Sequence, residues 1–328
     1  MIGCYVNGAL PRPRKLIEQT RAYDRNRISE EELEKSFAEA TEIVIDTQIS
    51  NGLSYITDGM LKWQDLLRPF TENLKGIRLG SLTRWFDNNT FYRQPIITGR
   101  VESEKDVVTG SAYVEKLPKN IPWKAILPAP YTFVHLSETK SYENATESMF
   151  TFAEVIRKEI RSLATAGFSY VQLNDPALVY EPIASSRKKD ELALVKDLLE
   201  IAVKGTSVKT CLQTYFGDIA EILPEALDFP VDHLGVDLYK TDFRKLKECS
   251  FEKGVALGLV DSRSSLVEEQ AELAAIAKEI VESIYDSQIR DVFICSNCDL
   301  EFLPWERAKE KMKVASSVAQ SLRGEFNG

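Results

Sequence analysis

Short apolar runs alternate with longer helical patterns along most of this chain. Eight such runs occur, at residues 2–6, 53–57, 123–127, 169–173, 208–214, 233–238, 255–260 and 291–296. Strands that alternate with helices predict a parallel sheet. Eight repeats over 328 residues favour an α/β fold in which the strands close into a (β/α)8 barrel. An open doubly wound sheet is the alternative, but no G-x-G-x-x-G motif follows the first run.

The helical patterns have apolar residues three and four positions apart and carry end signals. Ser29 followed by Glu32 predicts a capping box, and this helix is expected to end before Gly52. Ser265 followed by Glu268 predicts a second capping box at the start of a later helix. These signals strengthen the alternation of strands and helices.

Residues 60–121 interrupt the alternation with few helix signals. The segment LGSLTRWFDNNTFYRQPIITGRVES places FDNN, a turn sequence, between two arms rich in β-prone residues. We predict a hairpin-containing insertion at about 78–115, after the second strand of a single domain that spans 1–328. In a barrel this insertion lies at the C-terminal mouth, where the loops build the site.

Composition excludes several classes of protein. The net charge is −9, with 41 basic and 50 acidic residues interspersed, which does not suggest a nucleic-acid partner. No apolar run approaches the roughly 20 residues needed to span a bilayer, so no membrane partner is expected. Five scattered cysteines do not form a disulfide framework, and we expect a cytoplasmic protein with reduced thiols.

The C-terminal ends of the predicted strands carry many polar side chains. These positions are Asn7, Asp58, Pro128, Asn174, Asp175, Thr214, Asp237, Tyr239, Asp261 and 295–299. Converging carboxylates can bind a substrate amine or transfer a proton. Each residue alone is equally typical of a turn or a helix N-cap. The set as a whole indicates a ligand site.

Histidines and cysteines provide little evidence for nucleophilic or metal chemistry. His135 follows the third strand and His233 opens the sixth, so structural roles are favoured over a catalytic triad. Cys295 and Cys298 form one C-x-x-C pair, whereas structural zinc usually needs four such ligands. The pair therefore favours packed thiols at a strand end.

The predicted hairpin is rich in aromatic and basic residues. Arg84, Trp85, Phe91, Tyr92 and Arg93 lie within ten positions. Aromatic faces and arginines can stack on a flat heterocycle and pair with its carboxylate tail. Cross-strand packing with solvated arginines explains the same residues equally well.

Several motifs occur in an order that resembles one known family. They are VNGALPRPRKL, TDGMLKWQDLLRPF, LTRWFDNNTFYRQP, APYTFVHLS, YVQLNDPAL and CSNCDLEFLPWERAKEKM. Together they resemble the cobalamin-independent methionine synthase family over nearly the whole chain. The resemblance implies a TIM barrel. It also implies methyl transfer from a methyl-folate to the thiol of homocysteine, which zinc activates.

Carried over residue by residue, the resemblance leaves the zinc site incomplete. The H-x-C pair of the family falls on Leu212 and Thr214, its glutamate falls on Asp237, and only Cys298 matches. Zinc is therefore a doubtful cofactor.

The contacts that the resemblance implies for homocysteine also differ. Ala9 replaces a serine, Met60 replaces a glutamate, and Asn174–Asp175 replaces an Asp–Glu pair. The segments QTYFGD and VQLNDPAL resemble the family's N-terminal barrel, which lacks zinc, more closely.

These considerations lead to two hypotheses. In the first, a single-barrel enzyme transfers a methyl group from a methyl-folate or another donor to homocysteine. The residues assigned to it are catalytic Asp175 and Asp237, substrate-binding Asp58, Asn174, Arg84, Trp85 and Tyr92, and metal-binding Cys298 and Asp237. In the second, the barrel binds the methyl donor without catalysis and works with a separate catalytic chain. A homo-oligomer is a further option for either.

Overall fold

A parallel sheet curls around the centre of the molecule in the computed structural model, which describes residues 1–139, 145–187, 190–285 and 290–326. Seven strands pair in the order β1-β10-β9-β8-β7-β6-β4, and every neighbouring pair is parallel. These strands are β1 (Ile2–Cys4), β4 (Trp123–Pro128), β6 (Phe168–Asn174), β7 (Lys209–Gln213), β8 (His233–Asp237), β9 (Gly254–Val260) and β10 (Val292–Ser296).

The predicted second strand, 53–57, closes the gap between β1 and β4 with few hydrogen bonds. The backbone N–H of Ser54 donates to Cys4 O at 2.8 Å, and the N–H of Lys124 donates to Ile56 O at 2.9 Å. Ile56 forms a parallel bridge to β4. This segment stays short because the side chain of Gln48 pairs with both the N–H and the C=O of Thr57, at 3.0 and 2.8 Å. The eight predicted runs thus form the barrel, and the fold prediction is confirmed.

Helices follow most barrel strands and cover the outside of the sheet. The helices are α1 (Arg14–Asp24), α2 (Glu30–Ser50), α3 (Arg68–Asn73), α4 (Pro130–His135), α5 (Ala145–Ala166), α6 (Glu181–Ala184), α7 (Glu191–Val203), α8 (Gln270–Ile284) and α9 (Trp305–Phe326). The capping box at Ser29 is confirmed, with both reciprocal hydrogen bonds to Glu32 present. Gly52 follows α2 with φ of +73°, as expected for a residue just past a helix end.

The predicted second capping box is wrong. Helix α8 begins at Gln270 and has no side-chain cap. Glu268 instead accepts hydrogen bonds from Lys311 Nζ and from the backbone N–H of Asp261, both at 2.7 Å. The sequence pattern predicts that the Glu268 carboxylate caps the helix. It pairs instead with the buried Lys311 on α9, because a desolvated ammonium needs an opposite charge.

An antiparallel hairpin forms the middle of the region that interrupts the alternation. Strands β2 (Leu74–Arg84) and β3 (Phe91–Ser103) pair with each other, and β3 also pairs with the short strand β5 (Glu138–Thr139). The turn closes through a hydrogen bond from the Trp85 N–H to Thr90 O at 2.9 Å. The hairpin begins four residues before the predicted insertion.

Side chains pack the barrel interior beneath the mouth. Tyr5, Tyr170, Cys211, Phe293 and Cys295 form one buried cluster there. The Nζ of Lys124 lies 3.4 Å from the centre of the Tyr5 ring and donates to Val6 O at 2.7 Å. Burial lowers the pKa of Lys124 to about 7. A packed interior leaves the C-terminal mouth as the place for a ligand. In the described parts of the chain, no helix is long and apolar enough to cross a membrane.

Candidate functional site

An amide network links the ends of three strands at the mouth. Gln172 Nε2 donates to Asn7 Oδ1 at 2.7 Å and to Asn174 Oδ1 at 2.5 Å, and Asn174 Nδ2 reaches the Tyr215 hydroxyl at 3.4 Å. Asn7 Nδ2 donates to Ser296 O at 3.0 Å. All of these side chains are buried. Asn174 is therefore positioned by Gln172 and Tyr215, and the network as a whole joins β6 to the loop after β1 and to β10.

Asp237 is the acceptor at the centre of a second network. Its Oδ2 accepts from the Phe216 N–H at 3.1 Å, and its Oδ1 accepts from the Tyr239 N–H at 3.0 Å and from Asn297 Nδ2 at 3.3 Å. Burial raises the pKa of Asp237 to about 6, although these donors favour the ionised form. The carboxylate ties the ends of β7, β8 and β10 together.

Cys298 lies on the other side of Asn297. Its Sγ is 2.8 Å from Ser262 Oγ, and its N–H donates to Asn297 Oδ1 at 3.0 Å. Burial raises the pKa of the Cys298 thiol well above its usual range. The thiol is therefore protonated at neutral pH. We call Asp237, Asn297, Ser262 and Cys298 the mouth network.

Asp175 has one satisfied and one unsatisfied carboxyl oxygen. Its Oδ1 accepts from Thr132 Oγ1 at 2.5 Å and from the Thr132 N–H at 3.1 Å. Its Oδ2 is buried and has no hydrogen-bond partner among the described residues. Burial raises the pKa of Asp175 to about 7. This carboxyl group can gain or lose a proton near neutral pH.

Asp58 braces the backbone next to the hairpin. Its Oδ1 accepts from the Met60 N–H at 3.0 Å and its Oδ2 from the Tyr113 N–H at 3.3 Å. Burial raises its pKa from the ordinary value. Met60 has φ of +55°, so the carboxylate holds a turn that a non-glycine residue rarely adopts. Both contacts are structural, and a substrate contact from Asp58 stays a prediction.

The predicted site residues of the hairpin differ in their exposure to solvent. Trp85 and Tyr92 are buried, their ring centres are 5.4 Å apart, and the Tyr92 hydroxyl donates to Leu136 O at 2.8 Å. Arg84 is exposed and pairs in register with Phe91 on the opposite strand. Trp85 and Tyr92 therefore face the molecule, whereas Arg84 faces solvent.

A cavity of about 400 Å³ lies between the hairpin and the loop after β10. We call it the hairpin cavity. Its aromatic walls are Trp63, Trp85, Phe91 and Tyr92, and its carboxylates are Asp65, Asp299 and Glu301. Of the predicted site residues, only Trp85 and Tyr92 line it. A second cavity of about 420 Å³ shares Met60, Trp63, Gln64 and Glu301 with it and also contains Arg12.

The acidic residues after β10 lie close to the first loop. Asp299 Oδ1 accepts from the Ala9 N–H at 2.9 Å, and a Cβ added at Gly8 would lie 1.8 Å from this oxygen. Burial raises the pKa of Asp299 to about 6. Glu301 opens into the cavities, but the surrounding protein and the Asp299 carboxylate raise its pKa to about 8. The Arg12 guanidinium offsets part of this rise in the pKa of Glu301.

Comparison with known proteins identifies the family. The family described as "Cobalamin-independent synthase, Catalytic domain" matches residues 4–321. This chain belongs to that family. A methionine synthase of Saccharolobus solfataricus is 26% identical over 326 residues, which cover 98% of this chain and 95% of that protein. A methionine synthase of Sulfolobus acidocaldarius is 24% identical and covers 94% and 88%.

Solved structures of the family share the fold. A B12-independent methionine synthase from Shewanella, in complex with selenomethionine, aligns with a TM-score of 0.82 at 19% identity, over 100% of this chain and 99% of that one. A B12-independent methionine synthase described as putative, from Listeria monocytogenes, aligns with a TM-score of 0.75 at 19% identity, over 98% and 99%. The resemblance to this family and the TIM barrel it implies are confirmed.

The residues at the family's zinc positions do not fit a zinc site. Leu212 belongs to the hydrophobic core, and Thr214 Oγ1 donates to Gly235 O at 2.9 Å. Cys298 Sγ is paired with Ser262 Oγ, and the oxygens of Asp237 accept hydrogen bonds from three N–H donors. Within the described ranges, no three His, Cys, Asp or Glu side chains are grouped to hold a metal ion.

Several residues of the site were missed by sequence reasoning. Gln172 lies two positions before Asn174, so the two-residue period of a strand places both on one face. The shared face was the signal that could have found it. Ser262 and Glu301 carry no comparable signal, because the residues around them are distant along the chain, whereas Asp299 belongs to the predicted strand-end set 295–299.

Proposed function

We propose that this chain is a methyltransferase of the methionine synthase type, which transfers a methyl group to the thiol of homocysteine. The observation that carries the proposal is the family match over residues 4–321. Relatives named methionine synthase align along nearly the full length of both chains, which supports a single-barrel form of the enzyme. Methyl-folate is the donor that the family resemblance implies. Five free thiols support a reducing, cytoplasmic location.

Asp175 supplies the proton acceptor in this proposal. In the reaction, the sulfur attacks the methyl carbon, the new C–S bond forms, the C–N bond of the methyl-folate breaks, and its electron pair stays on the donor nitrogen, which takes up the thiol proton by way of Asp175. The thiol proton passes to Asp175 Oδ2, which is otherwise unpartnered among the described residues. A thiol pKa of about 8.5 exceeds the Asp175 value of about 7 by roughly 1.5 units, or about 2 kcal/mol. An ordinary aspartate at about 3.9 would face about 6 kcal/mol.

Asp237 and Asn174 act as positioning residues in this proposal. Asp237 holds Asn297 and two loop N–H groups, and Asn174 is held by Gln172 and Tyr215. Both networks set the shape of the mouth before a ligand enters. Trp85 and Tyr92 contact the methyl donor. No step is assigned to zinc, because the residues present do not fit it.

Methionine formation by the purified full-length chain tests the proposal. The assay supplies homocysteine and methyl-folate and compares Asp175→Asn with the exposed control Asp46→Asn. General-base catalysis contributes about 10²–10⁴-fold, so Asp175→Asn should lose at least about 100-fold while the control keeps full activity. Unchanged activity of a folded Asp175→Asn variant would refute the role of Asp175.

A donor-binding barrel without catalysis is the second candidate. Leu212 and Thr214 at the family's ligand positions favour it, because neither side chain can bind zinc. The same assay separates the two. Donor binding without methionine, followed by methionine formation when a second catalytic barrel is added, would support the binding module acting with a separate chain.

A further inference from the structure

Thr132 on α4 holds one oxygen of the Asp175 carboxyl group with two hydrogen bonds. Its hydroxyl Oγ1 lies 2.5 Å from Asp175 Oδ1, and its backbone N–H donates to the same oxygen at 3.1 Å. Both residues are buried, and 1% or less of either is exposed. Because the pair is shielded from bulk solvent, the protein itself decides which carboxyl oxygen is occupied.

The Ala177 N–H sets the direction of the hydrogen bond between Thr132 and Asp175. It donates to Thr132 Oγ1 at 3.0 Å. A backbone N–H can only donate, whereas a hydroxyl group accepts and has a single proton of its own to donate. The Thr132 proton therefore points to Asp175 Oδ1, which also receives the Thr132 N–H. With two donors directed at it, Oδ1 is an acceptor and does not carry a proton itself.

Backbone hydrogen bonds fix this pair on neighbouring strand ends before any ligand enters. The Ala129 N–H donates to Asn174 O at 2.9 Å, which ties the start of α4 to the end of β6. The Asp175 N–H donates to Gln213 O at 2.9 Å, which ties it to the end of β7. Asp175 Oδ2 is then the carboxyl oxygen left without a partner among the described residues.

The charged groups near Asp175 act mainly on Tyr131, which is also on α4. Burial and then Glu191 raise the pKa of Tyr131, with a smaller contribution from Asp175, and Arg187 lowers it. The Tyr131 hydroxyl donates to Glu191 Oε2 at 3.0 Å, and the centres of the Tyr131 and His135 rings are 4.1 Å apart. Within the described part of the chain, the two hydrogen bonds to Oδ1 are thus the contacts that favour an ionised Asp175.

We propose that Thr132 is a positioning residue for the proton transfer, because its hydroxyl and N–H keep Asp175 Oδ1 as an acceptor and leave Oδ2 to take the thiol proton. The inference rests on the proposed function, whose proton acceptor it orients. The thiol S–H bond breaks, the proton binds Oδ2, and Oδ2 passes it to the donor nitrogen, so Asp175 ends each turnover ionised. Burial raises the pKa of Asp175 to about 7, and both hydrogen bonds from Thr132 lower it. Without the hydroxyl, the carboxyl group should stay protonated to higher pH.

Carbon-13 NMR of the full chain, labelled at the aspartate carboxyl carbons, measures the titration of Asp175 without turnover. The Asp175 signal is the one that is missing from Asp175→Asn. Thr132→Val has the same shape but no hydroxyl, and the titration midpoint should rise by about one to two pH units. Thr132→Ser keeps the hydroxyl and should titrate like the wild type. Thr132→Ala replaces Thr132→Val in the comparison if the valine variant does not fold.

Thr210 provides a matched control, because it lies near the start of β7 and not at the mouth. Its buried Oγ1 donates to Asp232 Oδ2 at 3.1 Å and accepts from the Asp232 N–H at 3.3 Å. Like Thr132, it therefore joins a carboxylate to a backbone N–H. Thr210→Val removes the same kind of hydroxyl and should leave the titration of Asp175 unchanged.

The pH dependence of methionine formation gives a second measurement. Wild type and Thr132→Val are compared at equal concentrations of homocysteine and methyl-folate. For a midpoint raised from about 7 by one unit, Thr132→Val should be about fivefold slower at pH 7 and less than about twofold slower at pH 8.5, where Asp175 is mostly ionised in both proteins. Thr132→Ser should follow the wild type at both pH values.

Three outcomes would overturn the inference. The first is an Asp175 midpoint that is equal in wild type and Thr132→Val. The second is a loss of activity in Thr132→Val that is the same at pH 7 and pH 8.5, which is the result expected of a purely structural role. The third is a Thr132→Ser variant that behaves like Thr132→Val. A midpoint that rises in Thr132→Val but not in Thr210→Val, in a chain whose wild type forms no methionine, would support the control of Asp175 by Thr132 and count against the proposed function.

Discussion

At the centre of the barrel mouth Asp237 accepts three hydrogen bonds, whereas Glu301 in the hairpin cavity accepts none that involves the described residues. Asp237 is buried and joins three strand ends, while Glu301 is exposed to open space. A polar group whose hydrogen bonds are all made to the protein mainly maintains the structure around it. An unsaturated group in a cavity is available to a ligand. Stability measurements can therefore distinguish the two regions.

The largest loss of stability is expected at the mouth network. Asp237→Ala leaves the N–H groups of Phe216 and Tyr239 and the Asn297 amide without an acceptor. Buried unsatisfied donors cost about 1–3 kcal/mol each, so the free energy of unfolding should fall by about 3 kcal/mol in urea denaturation. Asp237→Asn retains one acceptor oxygen and should lose less. A loss below about 1 kcal/mol for Asp237→Ala would contradict a structural role.

The hydrogen bonding of Asp175 is intermediate between that of Asp237 and that of Glu301. One oxygen of its carboxyl group is paired and the other has no partner among the described residues. Its folded pKa of about 7 is above the unfolded value of about 3.9, so the folded state binds the proton more tightly. Its contribution to stability is full below pH 3.9 and is lost as the pH rises through 7. From pH 5 to pH 8 the wild type should lose on the order of 2 kcal/mol relative to Asp175→Asn. Parallel pH profiles of the two proteins would contradict the raised pKa.

Tyr92 belongs to the cavity wall but also anchors the hairpin. Tyr92→Phe removes the hydrogen bond from its hydroxyl to Leu136 O and keeps the ring. The unfolding free energy should therefore fall by about 1 kcal/mol in urea denaturation. An unchanged free energy of unfolding would contradict the anchoring role of the hydroxyl.

The smallest effect on stability is expected at Glu301. Glu301→Gln changes an exposed side chain with no ion pair in the described part of the chain, so unfolding should shift by less than about 0.5 kcal/mol. A destabilisation above 1 kcal/mol would mean that the cavity carboxylates maintain the fold, and the contrast with Asp237 would disappear.

The sequence by itself determined the barrel and the order of its elements. Runs such as 233–238 and 255–260 become β8 and β9 because strands covered on both faces of a parallel sheet require continuous apolar segments, and such a run is a local feature of the sequence. The Ser29 capping box is equally local, since both of its hydrogen bonds join residues three apart. The FDNN turn is local for the same reason.

Only the tertiary structure decided which polar residues meet. Glu268 lies at a helix-capping position in the sequence, but its carboxylate accepts a hydrogen bond from Lys311 on α9 instead. Asp299 reaches Ala9, 290 residues away, and only the absence of a side chain at Gly8 lets it approach. The hairpin cavity joins the hairpin to the loop after β10, which no local pattern connects. Periodicity reports which face of an element is buried, whereas charge balance and open space depend on elements brought together from distant parts of the chain.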